Sequence, residues 1–461
     1  MISQEPLPFI KKYLEIINNG LKKENPSYEL TRTQMLWLGF CLMGILLSNS
    51  VCWAKFERLS LKCYTQQALS WMFRHSKIKW DSILSSSVKS ILAQYGITNG
   101  ILIIDDKDHG RSKNARKLHH LHKIKDKKTG GYILGQNIIL LYLVTAKVSF
   151  PVSFSFYAPD PSWSQWSRED RRLKKNGVPK LKRPIKPERS QDYPKKYEIA
   201  IELLKAFKSQ FPSFKVTCVL ADALYGHKAF IDEIDNIWKD VQVITQLRKN
   251  QKIMQGKKTF NCEQYFSSYS GWEQEITIRG QKTQKVRAGG ARLHVCAQQA
   301  KRFVIGLKYE GEKEYRFLQA SNLSWNMKSI MEAYTARWLI EVFIEDWSCY
   351  NGFCSLAKQC GVEGSERPLI LSLLFDHCFL FHQHQQVSIE NKLPLASFGS
   401  LLEKTRFEAL CYFINAIIDS KSPKEKLKGL IDEADHIFKF RNSTKHLSGV
   451  TMNIKQLHLA A

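Results

Sequence analysis

The sequence predicts an α/β protein: strands and helices alternate through a central core, a β-rich insertion interrupts it, and helical regions flank it. Three observations carry this. The short apolar runs at 100–104 and 215–220 have the composition of strands buried on both faces, and each is followed by an acid. Apolar residues recur three and four apart in 197–211 and 327–350, the period of a helix with one buried face. Between 252 and 322 short alternating runs are separated by Gly turns, as half-buried strands are.

Composition bounds the partners. A chain of 461 residues, 44% hydrophobic and 24% charged, is globular and long enough for two or three domains. Lys and Arg number 69 against 43 Asp and Glu, a net charge of +26. Such a field attracts polyanions, and nucleic acid is the commonest of them; an anionic membrane surface is the competing partner. The 11 cysteines include no Cys-x-x-Cys pair, which fits buried, reduced thiols in a cytoplasmic, nucleoid-associated protein. The start, Met1-Ile-Ser-Gln-Glu-Pro6, lacks the pattern of a signal peptide. Residues 35–54 run for twenty positions without a charge, long enough to span a bilayer. Ser48-Asn49-Ser50 breaks that run, so it reads as two short buried helices, with no membrane span.

Taken in order, residues 1–97 form a helical N-terminal region, a bundle that either touches DNA or packs on the next domain. The periodic stretches 9–21, 35–47, 65–73 and 83–93 are separated by Asn, Pro and Ser breaks. Residues 98–385 form the core. Gly100-Ile-Leu-Ile-Ile-Asp105-Asp106 reads as a short strand ending in two acids, followed by the basic stretch 107–128. Residues 132–145 and 148–157 read as a hairpin of two long strands. The segment 159–194 reads as a basic loop holding Arg171, Arg172, Lys174 and Lys175, which neutralise phosphates if DNA lies alongside. A helix (197–211), the second apolar strand with Asp222, another helix (225–238) and a strand (241–246) follow, then the insertion at 252–322. An unbroken helix is expected over 327–350, a buried helix over 367–385 and a helical C-terminal tail over 386–461.

Three strands followed by alternating helices and strands is the ribonuclease-H arrangement, in which the first and fourth strands are central neighbours. Asp105 and Asp222 would then lie side by side, with Glu341 reaching them from the long helix. Carboxylates converging in this way repel one another unless hard divalent cations, Mg²⁺ or Mn²⁺, neutralise them. Two such ions roughly 3.5–4 Å apart suit in-line phosphoryl transfer. Each acid also has a plainer use. Asp105 and Asp106 could make a turn, Asp222 could cap a helix, and Glu341 could pair with Arg337 four residues before it. Tyr334, Arg337, Glu341 and Ser348 share one stripe of the helix.

Tyr334-x-x-Arg337-x-x-x-Glu341 resembles the Tyr-Arg-Glu-Lys signature of insertion-sequence-4-like DDE transposases. Ile-Ile-Asp105-Asp106 resembles the motif of their first aspartate, and Leu-Ala-Asp222-Ala-Leu-Tyr-Gly that of their second. The resemblance spans about 98–385. It implies that Asp105, Asp222 and Glu341 are the metal-binding catalytic residues of a ribonuclease-H-like core. It implies too that Tyr334 and Arg337 contact phosphates near the cut transposon end. The signature lysine should fall where Ser348 stands, and a serine gives phosphate a hydrogen bond without charge. Asp106 and Glu345 are alternatives for the first and third acids. His119, His120 and His122, amid Lys and Arg, read as facing DNA, and Trp163, Trp166 and Trp338 could stack on an unpaired base.

The expected function is therefore transposition. The protein binds double-stranded DNA at its element's terminal inverted repeats, cuts there, and uses the freed 3′-OH to attack target DNA. Pairing two ends implies a dimer in the DNA complex. A ribonuclease-H-like nuclease without strand transfer, or a non-catalytic DNA-binding descendant, are the alternatives.

Overall fold

A computed structural model describes residues 5–61, 63–112, 115–126, 129–280 and 282–437. The first region is helical: α1 (Pro8–Glu24), α2 (Arg32–Ser48), α3 (Trp53–Leu59), α4 (Gln66–His75) and α5 (Trp80–Gln94). Thr31 and Gln34 form a capping box that starts α2, and Asn49, left-handed at φ 47°, ends it. The chain then turns, so that α2 and α3 are bent by 89°. Among the described residues no single helix is long and apolar enough to cross a membrane; that bent pair passes only by length and composition. Residues 37–46 of α2 are buried, against α1 and the later helices at Gly361–Phe379 and Phe398–Ile418. Trp37 packs within about 6 Å of Trp53 and Trp80, which locks the bundle together.

The core follows: β1 (Asn99–Gly110), β2 (His122–Lys125), β3 (Tyr132–Val144), β4 (Ser149–Tyr157), α6 (Pro161–Lys175), α7 (Lys196–Gln210), β5 (Lys215–Ala221), α8 (Lys228–Ile237) and β6 (Gln242–Leu247). Strands run in the order β4-β3-β1-β5-β6, with β3 antiparallel to its neighbours and β1, β5 and β6 mutually parallel. Next come β7 (Lys252–Gln255), β8 (Lys258–Asn261), α9 (Cys262–Ser268), β9 (Trp272–Ile278), β10 (Lys282–Val295), β11 (Ala300–Tyr309) and β12 (Arg316–Ala320). The chain continues through α10 (Met327–Thr335), α11 (Trp338–Cys349), α12 (Gly361–Phe379), α13 (Gln383–Glu390), α14 (Phe398–Ile418) and α15 (Pro423–Ile437). One apolar core runs from the N-terminal helices through the sheet to α11, α12 and α14; a smaller one, around Phe266 and Phe317, lies under β7, β10 and β11.

Five expectations are corrected. The strand β1 does not end at its acids; it runs on to Gly110, with Asp105 opposite Leu140 and Asp106 opposite Ile139. Its polar half is held because β3 continues beside it. The basic stretch after it contains a strand, β2; Lys113, Asn114, Lys127 and Lys128 of that stretch lie outside the described residues. The expected basic loop is mostly a helix, α6: Asp160 caps it by accepting from the amides of Ser162 and Trp163, and Pro161 occupies its first turn. The β-rich insertion joins the sheet of the core. Its strand β12 pairs antiparallel with β6, so that one 12-stranded sheet runs through both. Within β10, Gly289 and Gly290 are not a turn. A Cβ on Gly290 would lie 2.8 Å from the Phe303 ring and 2.9 Å from Met327 Sδ, so this strand needs glycine for close approach.

The fifth correction concerns the long helix, which is two. Around Ala336 and Arg337 the amides of Ala336, Arg337, Leu339 and Ile340 bond three residues back, not four, a tightened turn that divides α10 from α11. Thr335 sits at this turn: its hydroxyl donates to Glu332 O and accepts from the Arg279 amide, just past the end of β9. In the helical tail, 438–461 lie outside the described residues.

Candidate active site

Parallel pairing of β1 and β5 sets Ile104 beside Ala221, so Asp105 and Asp222 emerge together, one step on. Asp222 is not a helix cap. Its Oδ1 accepts from the Leu224 amide at 2.7 Å in a tight turn, and α8 starts only at Lys228, after His227. Arg337, at the break between α10 and α11, reaches both remaining parts of the site. Its guanidinium donates to Asp105 Oδ2 at 2.9 Å and to Glu341 Oε1. The plain pairing of Arg337 with Glu341 thus exists, and it extends across 232 residues of chain to Asp105.

The electrostatics are those of acids short of compensation. Burial lifts Asp105 from 3.8 to about 6; Arg337 and the Asp106 amide pull down, while Asp222 and Asp106 push up. Asp222 is raised by burial and by Asp106, against the Leu224 amide, Arg337 and Lys196. Tyr334 and Tyr225 each bury a hydroxyl without a protein partner beside these acids, and burial raises both phenols. Asp106 is engaged elsewhere: its Oδ2 accepts from Lys196 Nζ and Asn137 Nδ2, both at 2.8 Å. Asn137 Nδ2 also reaches Asp108 Oδ1 at 2.7 Å.

Other predicted residues spread out. Ser348 donates to Ile344 O of its own helix at 2.6 Å, and Glu345 is exposed. Trp338 is 54% exposed at the mouth of a recess of about 370 Å³ lined also by Arg279, Arg316, Tyr334 and Arg337. Arg171, Arg172, Lys174 and Lys175 are exposed along α6. His119, His120 and His122 are partly buried, and burial lowers all three, His120 to about 4, so they are neutral rings at pH 7. Sequence reading missed Lys196 and Asn137. An amide in the apolar run of β3 was a visible signal for Asn137; nothing in the sequence marks Lys196.

The donor set can be tested against a metal. Among the described residues no three His, Cys, Asp or Glu side chains form a ready-made metal cluster. Arg337 stands between Asp105 and Glu341. The donors themselves are hard carboxylate oxygens, with Asp105 and Asp222 adjacent and incompletely neutralised, which suits Mg²⁺ or Mn²⁺. The residues fit such an ion once Arg337 yields.

Two family descriptions match the chain: DDE superfamily endonuclease over residues 27–265, and Transposase DDE domain over 190–352. The first span contains Asp105 and Asp222, the second Asp222 and Glu341. No curated protein matches.

Proposed function

This chain belongs to the DDE superfamily of endonucleases and is a transposase, and we propose that it binds its element's terminal inverted repeats, cuts there and joins the ends to target DNA. The core reads as ribonuclease-H-like, supported by the strand order β4-β3-β1-β5-β6 with a helix before β5 and another before β6. The observation that carries the reading is Arg337 bonded to both Asp105 and Glu341 while Asp222 emerges beside Asp105. Residues from all three motifs thereby meet at one place.

Asp105, Asp222 and Glu341 would hold two divalent ions, Mg²⁺ or Mn²⁺. When bound, these would activate a water or a 3′-hydroxyl and stabilise the leaving oxygen. The protein's own groups orient and exchange partners. Arg337 holds Asp105 and Glu341 in position before DNA arrives; a phosphate then offers its guanidinium the same bidentate geometry. Tyr334 buries an unpartnered hydroxyl close enough to the same acids to feel their charge. Ser348 can contact phosphate only by leaving Ile344 O. Synapsis of two ends makes the complex a dimer, acting in the cytoplasm on nucleoid DNA.

The test is Mg²⁺- or Mn²⁺-dependent cleavage of DNA carrying the element's ends, with joined products scored and Asp222→Ala as comparison. Cleavage and joining lost in the variant are expected. Cleavage unaffected by Asp222→Ala refutes the site. Cutting without joining leaves a nuclease, and binding without cutting leaves a DNA-binding protein.

A further inference from the structure

A groove of about 920 Å³ lies between α6 and the ends of β2, β3 and β4. The helix lines it with Ser164, Ser167, Arg168 and Arg171, residues three and four apart and so on one face. Arg189 and Lys123 contribute further cations. The one acid among its lining residues, Asp160, is spent: Oδ1 accepts from the Ser162 and Trp163 amides and Oδ2 from the Ser190 amide. Lys174 and Lys175 belong to the same helix but do not line the groove.

The groove connects to the acids. Tyr157 forms part of its wall, and Lys196 Nζ lies 5.2 Å from the centroid of that ring. The same Nζ is 2.8 Å from Asp106 Oδ2 and acts electrostatically on Asp222. Cations therefore stand both at the carboxylates, as Lys196, and in the groove beyond Tyr157, as Arg168, Arg171, Arg189 and Lys123. Charge complementarity selects a phosphodiester backbone as its occupant.

We propose that this groove is the track by which one DNA strand leaves the acids, with Arg168 and Arg171 on phosphates away from the cut and Lys196 on the phosphate nearest it. The proposal rests on the transposase reading and names the path of its substrate. It also divides the basic block: the groove-facing arginines bind backbone, and the rest of the block supplies only general charge.

The experiment measures the affinity of the full chain for duplex DNA against salt concentration, in EDTA, so that binding is read without chemistry. Arg168→Gln with Arg171→Gln is compared with Lys257→Gln with Lys258→Gln. The latter pair is exposed on the β7–β8 hairpin, at the other end of the sheet. Both doubles remove the same charge. Each phosphate contact contributes about 0.9 to the slope of log K against log salt. The groove double should flatten the slope by about 1.8 and the hairpin double by much less. Because α6 buries no residue, the groove double should keep its melting temperature. Lys196→Gln should flatten the slope by about 0.9. Equal changes in the two doubles, or none in the groove double, overturn the track. If wild-type chain binds DNA with these slopes but never cleaves, the track stands and the catalytic reading falls.

Discussion

Asp376, on the buried helix α12, should be a carboxyl that weakens the fold at neutral pH. Burial raises it from 3.8 to about 7, with Asn351 lowering it and Asp346 raising it. Its Oδ1 accepts from Asn351 Nδ2 at 3.0 Å, while Asn351 Oδ1 is buried and accepts nothing from the protein. A protonated Asp376 can donate to that oxygen; an ionised one cannot. The folded state thus binds the proton more tightly than the unfolded chain. Stability from this group is fully present below pH 3.8, falls as pH rises toward 7, and stays low above it. A span from 3.8 to about 7 corresponds to about 4 kcal/mol. Part of the residue still meets solvent, so about 2 kcal/mol is the working figure. Asp376→Asn keeps the shape, removes the charge, and can give Asn351 Oδ1 an N–H donor. The variant should be more stable than wild type by about 2 kcal/mol at pH 8, and by less than half of that at pH 5. At about 2 °C per kcal/mol this is about 4 °C in melting temperature. Thermal melts of both proteins at the two pH values check it. An equal difference at pH 5 and pH 8, or a less stable variant at pH 8, refutes the reasoning.

Three further outcomes follow from the site. Arg337→Ala strands Asp105 and Glu341 without their partner; urea denaturation should show a loss of about 3 kcal/mol, and a loss under about 1 kcal/mol would mean the pair is solvent-screened. Gln298 is 1% exposed and donates to Gly226 O, in the loop after Asp222, and to Gln319 Oε1, while accepting from Arg302 Nε. Gln298→Leu should cost about 1–3 kcal/mol and lower cleavage with DNA affinity unchanged; full activity would show that the insertion does not hold that loop. Ser348→Lys places a cation where the resemblance expects one and should steepen the salt dependence of DNA binding by about 0.9; an unchanged slope places this face of α11 away from the DNA.

Period and composition revealed most elements because the forces that set them are local. The apolar runs at β1 and β5 and the spacing in α7 are consequences of burial on two faces or one. What escaped was set by partners distant in the chain. The polar end of β1 is a strand only because β3 lies beside it, and β6 meets the insertion because β12 pairs there, about 70 residues later. The helix α6 is different: Asp160-Pro161 was a legible start signal, outweighed by the density of Pro and Lys after it.

For the site, residue types indicated which groups belong together and geometry determined how. Three acids in a basic chain could be identified from their motifs, but Arg337 joining two of them depends on a helix break that no residue type announces. Nothing between Met331 and Val342 is a poor helix former in the sense of Gly or Pro. The tightened turn at Ala336, held by Thr335 against the Arg279 amide, lets one guanidinium serve both Glu341 and Asp105. The turn after β9, which carries Arg279, thereby contacts the end of α10, one turn of chain from the guanidinium. An insertion that looks peripheral in sequence is, through that hydrogen bond, part of what arranges the carboxylates.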